Sequence, residues 1–181
     1  MKEISLHILD IAENSVNVGA DKISIEINEN LKKDELLFII SDNGKGMDSH
    51  TIAQIHDPFV TSRTTRNIGL GIPFLKAAAE SCNGFLRIES KPNYGTTLTT
   101  KFQYNHIDRM PLGDISSTIL NLMIGYAEIN WIFKYHKNDR TFVLDDKVIK
   151  DTLIDVPLSE PVVINYLKNL INDGIASVQE K

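Results

Sequence analysis

The chain has 181 residues, 42% of them hydrophobic and 24% charged, with a formal net charge of -5, enough for one buried core with a small addition and no covalent staple. The acidic balance supplies no general attraction for nucleic acid; no apolar run approaches the roughly 18 residues that span a bilayer, and the opening residues form an amphipathic pattern rather than a secretory signal. A single cysteine, Cys82, excludes an intrachain disulfide and a cysteine-only metal site, so the expected setting is the reducing cytoplasm, with neither nucleic acid nor membrane as partner.

Residues 3–18 place Ile4, Ile8, Ile11, Ser15 and Val18 at helical spacing, which predicts a buried stripe ended by Gly19. On another face His7, Asp10, Asn14 and Asn17 stack in one row, an arrangement suited to a cation and a water. Asp21 to Asn28 alternates as a half-buried strand, Glu35 to Ser41 is a denser, more central strand, and Glu29 to Asp34 reads as a polar hairpin connection. Asp42 follows at the end of the central strand, in the run Asp42-Asn43-Gly44-Lys45-Gly46-Met47, where glycines let the backbone approach a flat ligand. Two readings of Asp42 stand on the residues alone. Its carboxylate caps the Asn43-Gly44 turn, or with a bound water or hydroxyl it reads the edge of adenine, whose exocyclic amine donates and whose neighbouring ring nitrogen accepts.

A short helix is predicted over 48–55, with Asp48 or Ser49 as N-cap. Residues 57–68 show no clean period, are rich in hydroxyls such as Thr61, and carry Arg63 and Arg66. They read either as a surface loop or as a lid over a triphosphate, because Gly69-Leu70-Gly71 and a helix over 72–82 come next. Glycine amides and the positive helix N-terminus, with Pro73 in its first turn, suit phosphate. After Gly84, strands Phe85 to Ser90 and Thr96 to Tyr104 form a hairpin around Lys91 to Gly95. Beyond Met110 to Asp114, read as a turn, a helix over 115–124 is expected, then a strand through Ile129, Trp131, Phe133 and Tyr135 and another over 141–145. Helices over 146–153 and 160–173 complete the pattern, the last capped by Ser159 with Pro161 in its first turn. The aromatic stripe reads as core, and this part is expected to offer a docking surface to a protein partner.

In their order, the four motifs resemble those of the GHKL ATPases, the superfamily of DNA gyrase, the large heat-shock chaperone, histidine kinases and the MutL mismatch-repair proteins. The resemblance covers roughly residues 4–104. The run from Asp10 through Asn14 and Asn17 to Asp21 looks most like the MutL and gyrase version of the N box, whereas Asp57 to Arg63 and Asn67 to Lys76 look like the lid and glycine boxes of histidine kinases. The resemblance implies an α/β fold, a two-layer sandwich of the GHKL (Bergerat) type with a mixed sheet and helices on one face. Residues 1–105 would form the ATP-binding domain, while 106–181, outside the resemblance, read as a small C-terminal α/β extension. It further implies that Asn14 coordinates a magnesium ion bridging the phosphates, that Asp42 binds the adenine amine, and that Gly46 and Thr96 complete the base pocket. Gly69, Leu70 and Gly71 would give backbone contacts to phosphate. Asn17, Gly44, Met47, Thr61 and Arg63 complete the expected ATP-binding set.

Departures from the family pattern bear on mechanism. The general base of the hydrolytic members is a glutamate four residues before the magnesium asparagine; here that position is Asp10, one methylene shorter, so hydrolysis is expected to be slow. Glu13 points about 100° away around the helix, and His7, one turn up, reads as a packing or solvent-facing residue. Where histidine kinases carry a lysine and an aromatic after the asparagine, this chain has Asn17 and Val18. None of His7, His50, His56, His106 and His136 sits in a phospho-acceptor context, so a kinase would have to phosphorylate another protein, as the anti-sigma-factor serine kinases do. Three functions stay open: an ATP-driven switch or slow ATPase, a protein kinase acting in trans on histidine or serine, and a nucleotide-binding module without turnover. The oligomeric state is open too.

Overall fold

The computed structural model describes residues 3–55, 71–153 and 156–179. In chain order the elements are α1 (Ile4–Asn17), β1 (Lys22–Asn30), β2 (Glu35–Asp42), α2 (Ser49–Ile55), α3 (Gly71–Ser81), β3 (Phe85–Lys91), β4 (Gly95–Gln103), α4 (Ile115–Gly125), β5 (Asn130–Lys137), β6 (Arg140–Asp145), α5 (Asp146–Leu153) and α6 (Pro161–Gln179). The six strands form one mixed sheet in the order β3-β4-β2-β1-β5-β6. Every pairing is antiparallel except that of β1 with β5. The last two strands therefore continue the same sheet that the first four begin.

Period-two alternation decides which face is buried. Register aligns Ile88, Leu98, Ile40, Ile25, Phe133 and Leu144 as one row across all six strands, and every member is buried. The next row is Leu86, Thr100, Phe38, Ile27, Tyr135 and Phe142. Ile4, Ile8, Ile11 and Ala12 of α1, Leu75 and Ala79 of α3, and Leu167 and Ile171 of α6 belong to the same hydrophobic core as these rows. Burying one such aliphatic side chain contributes about 1.5–3 kcal/mol, so the helices are held chiefly by this layer and little by their own propensity.

Three expectations are corrected. Glu29 is the inward residue of β1 next after Ile27, only 3% exposed, and not part of a polar hairpin; it is tolerated because the Tyr135 hydroxyl donates to its carboxylate. The Tyr135 hydroxyl also accepts from Gln179 Nε2 at 3.0 Å, and burial, followed by the carboxylate beside it, pushes its pKa well above the tyrosine norm. Helix α6 does not stop at residue 173 but continues to Gln179. It runs through Gly174 because the Phe142 ring occupies the space a Cβ would need there. Its cap is Glu160 rather than Ser159, since the Glu160 carbonyl accepts the first helical bond, from the Ile164 N–H at 2.9 Å.

The packing at Gly174 sets an expectation. Gly174→Ala should lower stability by about 1–3 kcal/mol in urea denaturation through overpacking against Phe142. Gly125→Ala, where a Cβ meets nothing within 4 Å, should not. Equal midpoints for the two variants would mean that α6 does not rest on this ring.

Candidate functional site

The inward rows of the sheet turn polar at one end. One step past Ile88, Leu98 and Ile40, register brings Ser90, Thr96 and Asp42 together on the same face. Above them α1 supplies Ile11, Asn14 and Ser15, with Val18 as its C-cap, and the resulting cleft encloses about 630 Å³, its mouth included. Ile40, Ile88, Leu98, Ile55 and Ile72 form its apolar walls, and Gly46, Met47, Asp42 and Thr96 line it as well. An apolar slot with a few convergent polar groups is the common form of a small-molecule site.

Asp42 is held from three directions. Its Oδ1 accepts from the Gly44 N–H at 2.9 Å and the Thr96 N–H at 3.2 Å, and its Oδ2 accepts from the Ser15 hydroxyl at 2.8 Å. Asp42 thus caps the turn, as one sequence reading has it, and it also lines the cleft. A carboxylate has about four lone-pair positions, and the three donors leave one for a ligand. Such a group accepts only, so it suits an amine and repels a carbonyl.

Glycines bring the walls close. Gly46 and Gly95 have φ of 62° and 93°, in the region that favours glycine; a Cβ on the first would strike the Lys91 carbonyl, and one on the second the Asp42 carbonyl. The loop after β2 is further tied by Asn43, whose Oδ1 accepts from the N–H groups of Asp21 and Lys22 at 3.1 and 3.0 Å.

Along α1 the polar row separates. Asn17 is exposed and outside the cleft lining, whereas Asn14 lines it. Asp10 is half-buried, and its Oδ2 has no hydrogen-bond partner among the described residues. That oxygen lies against Gly71, the first residue of α3, where a Cβ would collide with it. His7 is 2% exposed with Nδ1 likewise unpartnered among the described residues; burial holds its pKa below the histidine norm, against the opposing pull of Asp10.

Of the other sequence-derived site residues, Gly44 is buried beside the cleft and outside its lining, its N–H committed to Asp42. Thr61, Arg63, Gly69 and Leu70, together with the proposed lid over 57–68, lie outside the described residues. Ser15 was read as part of a buried stripe, and its hydroxyl turns out to hold Asp42. No spacing rule flags it, although its place beside Asn14 at the helix end nearest the Gly44 turn is a usable clue.

A family model described as "Histidine kinase-, DNA gyrase B-, and HSP90-like ATPase" matches residues 2–106. Among curated relatives, the sensor protein kinase FleS of Pseudomonas aeruginosa is 35% identical over 92 residues, 51% of this chain and 23% of that protein. The sensor histidine kinase YvrG of Bacillus subtilis is 29% identical over 94 residues, 50% of this chain and 16% of its own length. The chain thus spans less than a quarter of the length of these relatives. Among solved structures, the Aquifex aeolicus MutL ATPase domain complexed with ADP superposes with a TM-score of 0.52 at 12% identity, covering 96% of this chain and 70% of that one, a likeness of fold that includes the strands after residue 106. Among the described residues, no helix is long and apolar enough to cross a membrane.

Proposed function

Because the chain belongs to the histidine kinase-, DNA gyrase B- and HSP90-like ATPase family, we propose that its cleft binds ATP, adenine against Asp42, and that it works as a cytoplasmic ATP-driven switch with slow turnover. The observation that carries this is the Asp42 carboxylate at the polar end of an apolar slot, bound by three donors and keeping one acceptor position for an amine.

The residues present fit magnesium. Asn14 lines the cleft and its side chain makes no hydrogen bond to a described residue, and no cluster of three acidic, histidine or cysteine groups occurs among the described residues. That suits a cation which takes few protein ligands and fills its sphere with phosphate and water oxygens, and Asn14 Oδ1 would be the protein ligand. Bound there, the ion would neutralise charge on the phosphates. Asp10 takes the role of general base, its unpartnered oxygen accepting the proton of an attacking water. Gly69, Leu70, Thr61 and Arg63 are proposed phosphate contacts on the sequence motif alone. Residues 106–181 are proposed as the docking element for a protein partner that senses the nucleotide state.

A second reading is favoured by the similarity to FleS and YvrG: the same site passes the γ-phosphate to a histidine or serine of another protein. Calorimetric titration with ATP, ADP and GTP in magnesium, beside a phosphate-release assay, tests both. Adenine nucleotides should bind at least about tenfold more tightly than GTP, the discrimination expected of one charge-assisted hydrogen bond. Phosphate release without added protein supports the switch, and label carried to a partner supports the kinase. Absence of nucleotide binding would remove both.

A further inference from the structure

Ser90 does not line the cleft, yet its side chain bonds to three groups around it. Its Oγ lies 2.8 Å from the Met47 N–H, 2.9 Å from the Gly95 carbonyl and 2.9 Å from Thr96 Oγ1. Met47 and Thr96 both line the cleft, and Gly95 opens the strand that carries Thr96. Ser90 and Thr96 are register partners on the inward face, so this geometry follows directly from the pairing of β3 with β4.

Valence then fixes the direction of each bond. A hydroxyl has one hydrogen and two lone pairs. The Gly95 carbonyl can only accept, so it takes the Ser90 hydrogen; the Met47 N–H can only donate, so it takes one lone pair. What remains on Ser90 is a single lone pair, and Thr96 must donate to it. The Thr96 hydrogen is thereby committed away from the cleft, and its oxygen has only acceptor capacity left. It stands beside Asp42, its register partner on β2, itself an acceptor.

We infer that Ser90 is a positioning residue for base selection: by taking the Thr96 proton it leaves two neighbouring acceptors, Thr96 Oγ1 and the Asp42 carboxylate, which favour a purine carrying an exocyclic amine over one carrying a carbonyl there. The inference rests on the adenine reading above and adds to it a residue that acts through Thr96 and Met47. Removing the Ser90 hydroxyl frees the Thr96 proton, and a hydroxyl able to donate accepts a carbonyl at the same place. A merely structural role for Ser90 would weaken all purine nucleotides alike or lower the melting temperature only.

The test is calorimetric titration of wild type, Ser90→Ala and Ser90→Thr with ADP and with inosine diphosphate, which replaces the amine by a carbonyl and puts a hydrogen on the neighbouring ring nitrogen. In Ser90→Ala the preference for ADP over inosine diphosphate should narrow about tenfold, chiefly through gained inosine diphosphate affinity, as for one hydrogen bond. Ser90→Thr keeps the hydroxyl and should retain the wild-type preference. An unchanged preference in Ser90→Ala, whatever its melting temperature, overturns the inference, and so does a preference lost in both variants while both stay folded by circular dichroism. A wild type that binds the two nucleotides equally well, with Asp42→Asn doing the same, overturns the adenine reading itself. The two failures are therefore distinguishable.

Discussion

Asp42→Asn is expected to weaken ADP and ATP binding about a hundredfold, with little change in folding stability. The amide keeps one carbonyl oxygen, which can still accept from the N–H groups of Gly44 and Thr96, so the turn and the start of β4 stay anchored. The Ser15 hydroxyl, now facing an amide nitrogen, turns to accept from it. What is lost is the last acceptor position facing the cleft, replaced by a donor that meets the adenine amine hydrogen to hydrogen. A hydrogen bond to a charged group is worth about 1.5–3 kcal/mol, and about 2.7 kcal/mol is a factor of a hundred in affinity. Titration calorimetry with a thermal melt of the same sample checks both halves. Retained affinity at an unchanged melting temperature would mean that the base does not lie against Asp42.

The second large effect concerns turnover. With Asp10→Asn, phosphate release should fall by between about a hundredfold and ten-thousandfold, the usual contribution of a positioned general base, while ADP affinity stays within about twofold because Asp10 is outside the cleft lining. The substitution is nearly isosteric, so the Oδ position packed against Gly71 stays filled and the α1 to α3 contact is not disturbed. Single-turnover phosphate release with calorimetry on the same variant separates chemistry from binding. Unchanged release would move the base elsewhere, and loss of binding would place Asp10 at the nucleotide.

What could be read from the residues follows from which interactions are periodic. Burial imposes the 3.6 and 2.0 repeats, so α1 with Ile4, Ile8 and Ile11 and β1 with Ile23, Ile25 and Ile27 were legible at once. Glu29 was not, because an acidic side chain continuing an inward row looks like a loop until Tyr135 is known to lie beside it. The end of α6 was misplaced for a similar reason: Gly174 signals a helix stop unless an aromatic ring from another strand needs its missing side chain. In the site, Asp42, Asn14, Gly46, Met47 and Thr96 stood in recognisable motifs and meet at one cleft. Ser15 and Ser90 did not stand out, since Ser15 holds Asp42, 27 positions away, and Ser90 joins Met47, 43 positions away, to Gly95 and Thr96 on the next strand, contacts that only the fold reveals.

The parallel pairing of β1 with β5 also bears on how the molecule is made. Lys22 must wait for Asn130 before β1 loses its open edge, whereas the other neighbour of β1, β2, follows it within a tight turn. During synthesis the first four strands therefore emerge before β5, with an isoleucine-rich strand unpaired on one side, the kind of edge that recruits other chains. Closure of that edge is a long-range event with a large loop entropy cost. Pairing of β5 (Asn130–Lys137) with β1 thus closes the edge through which the newborn sheet would self-associate.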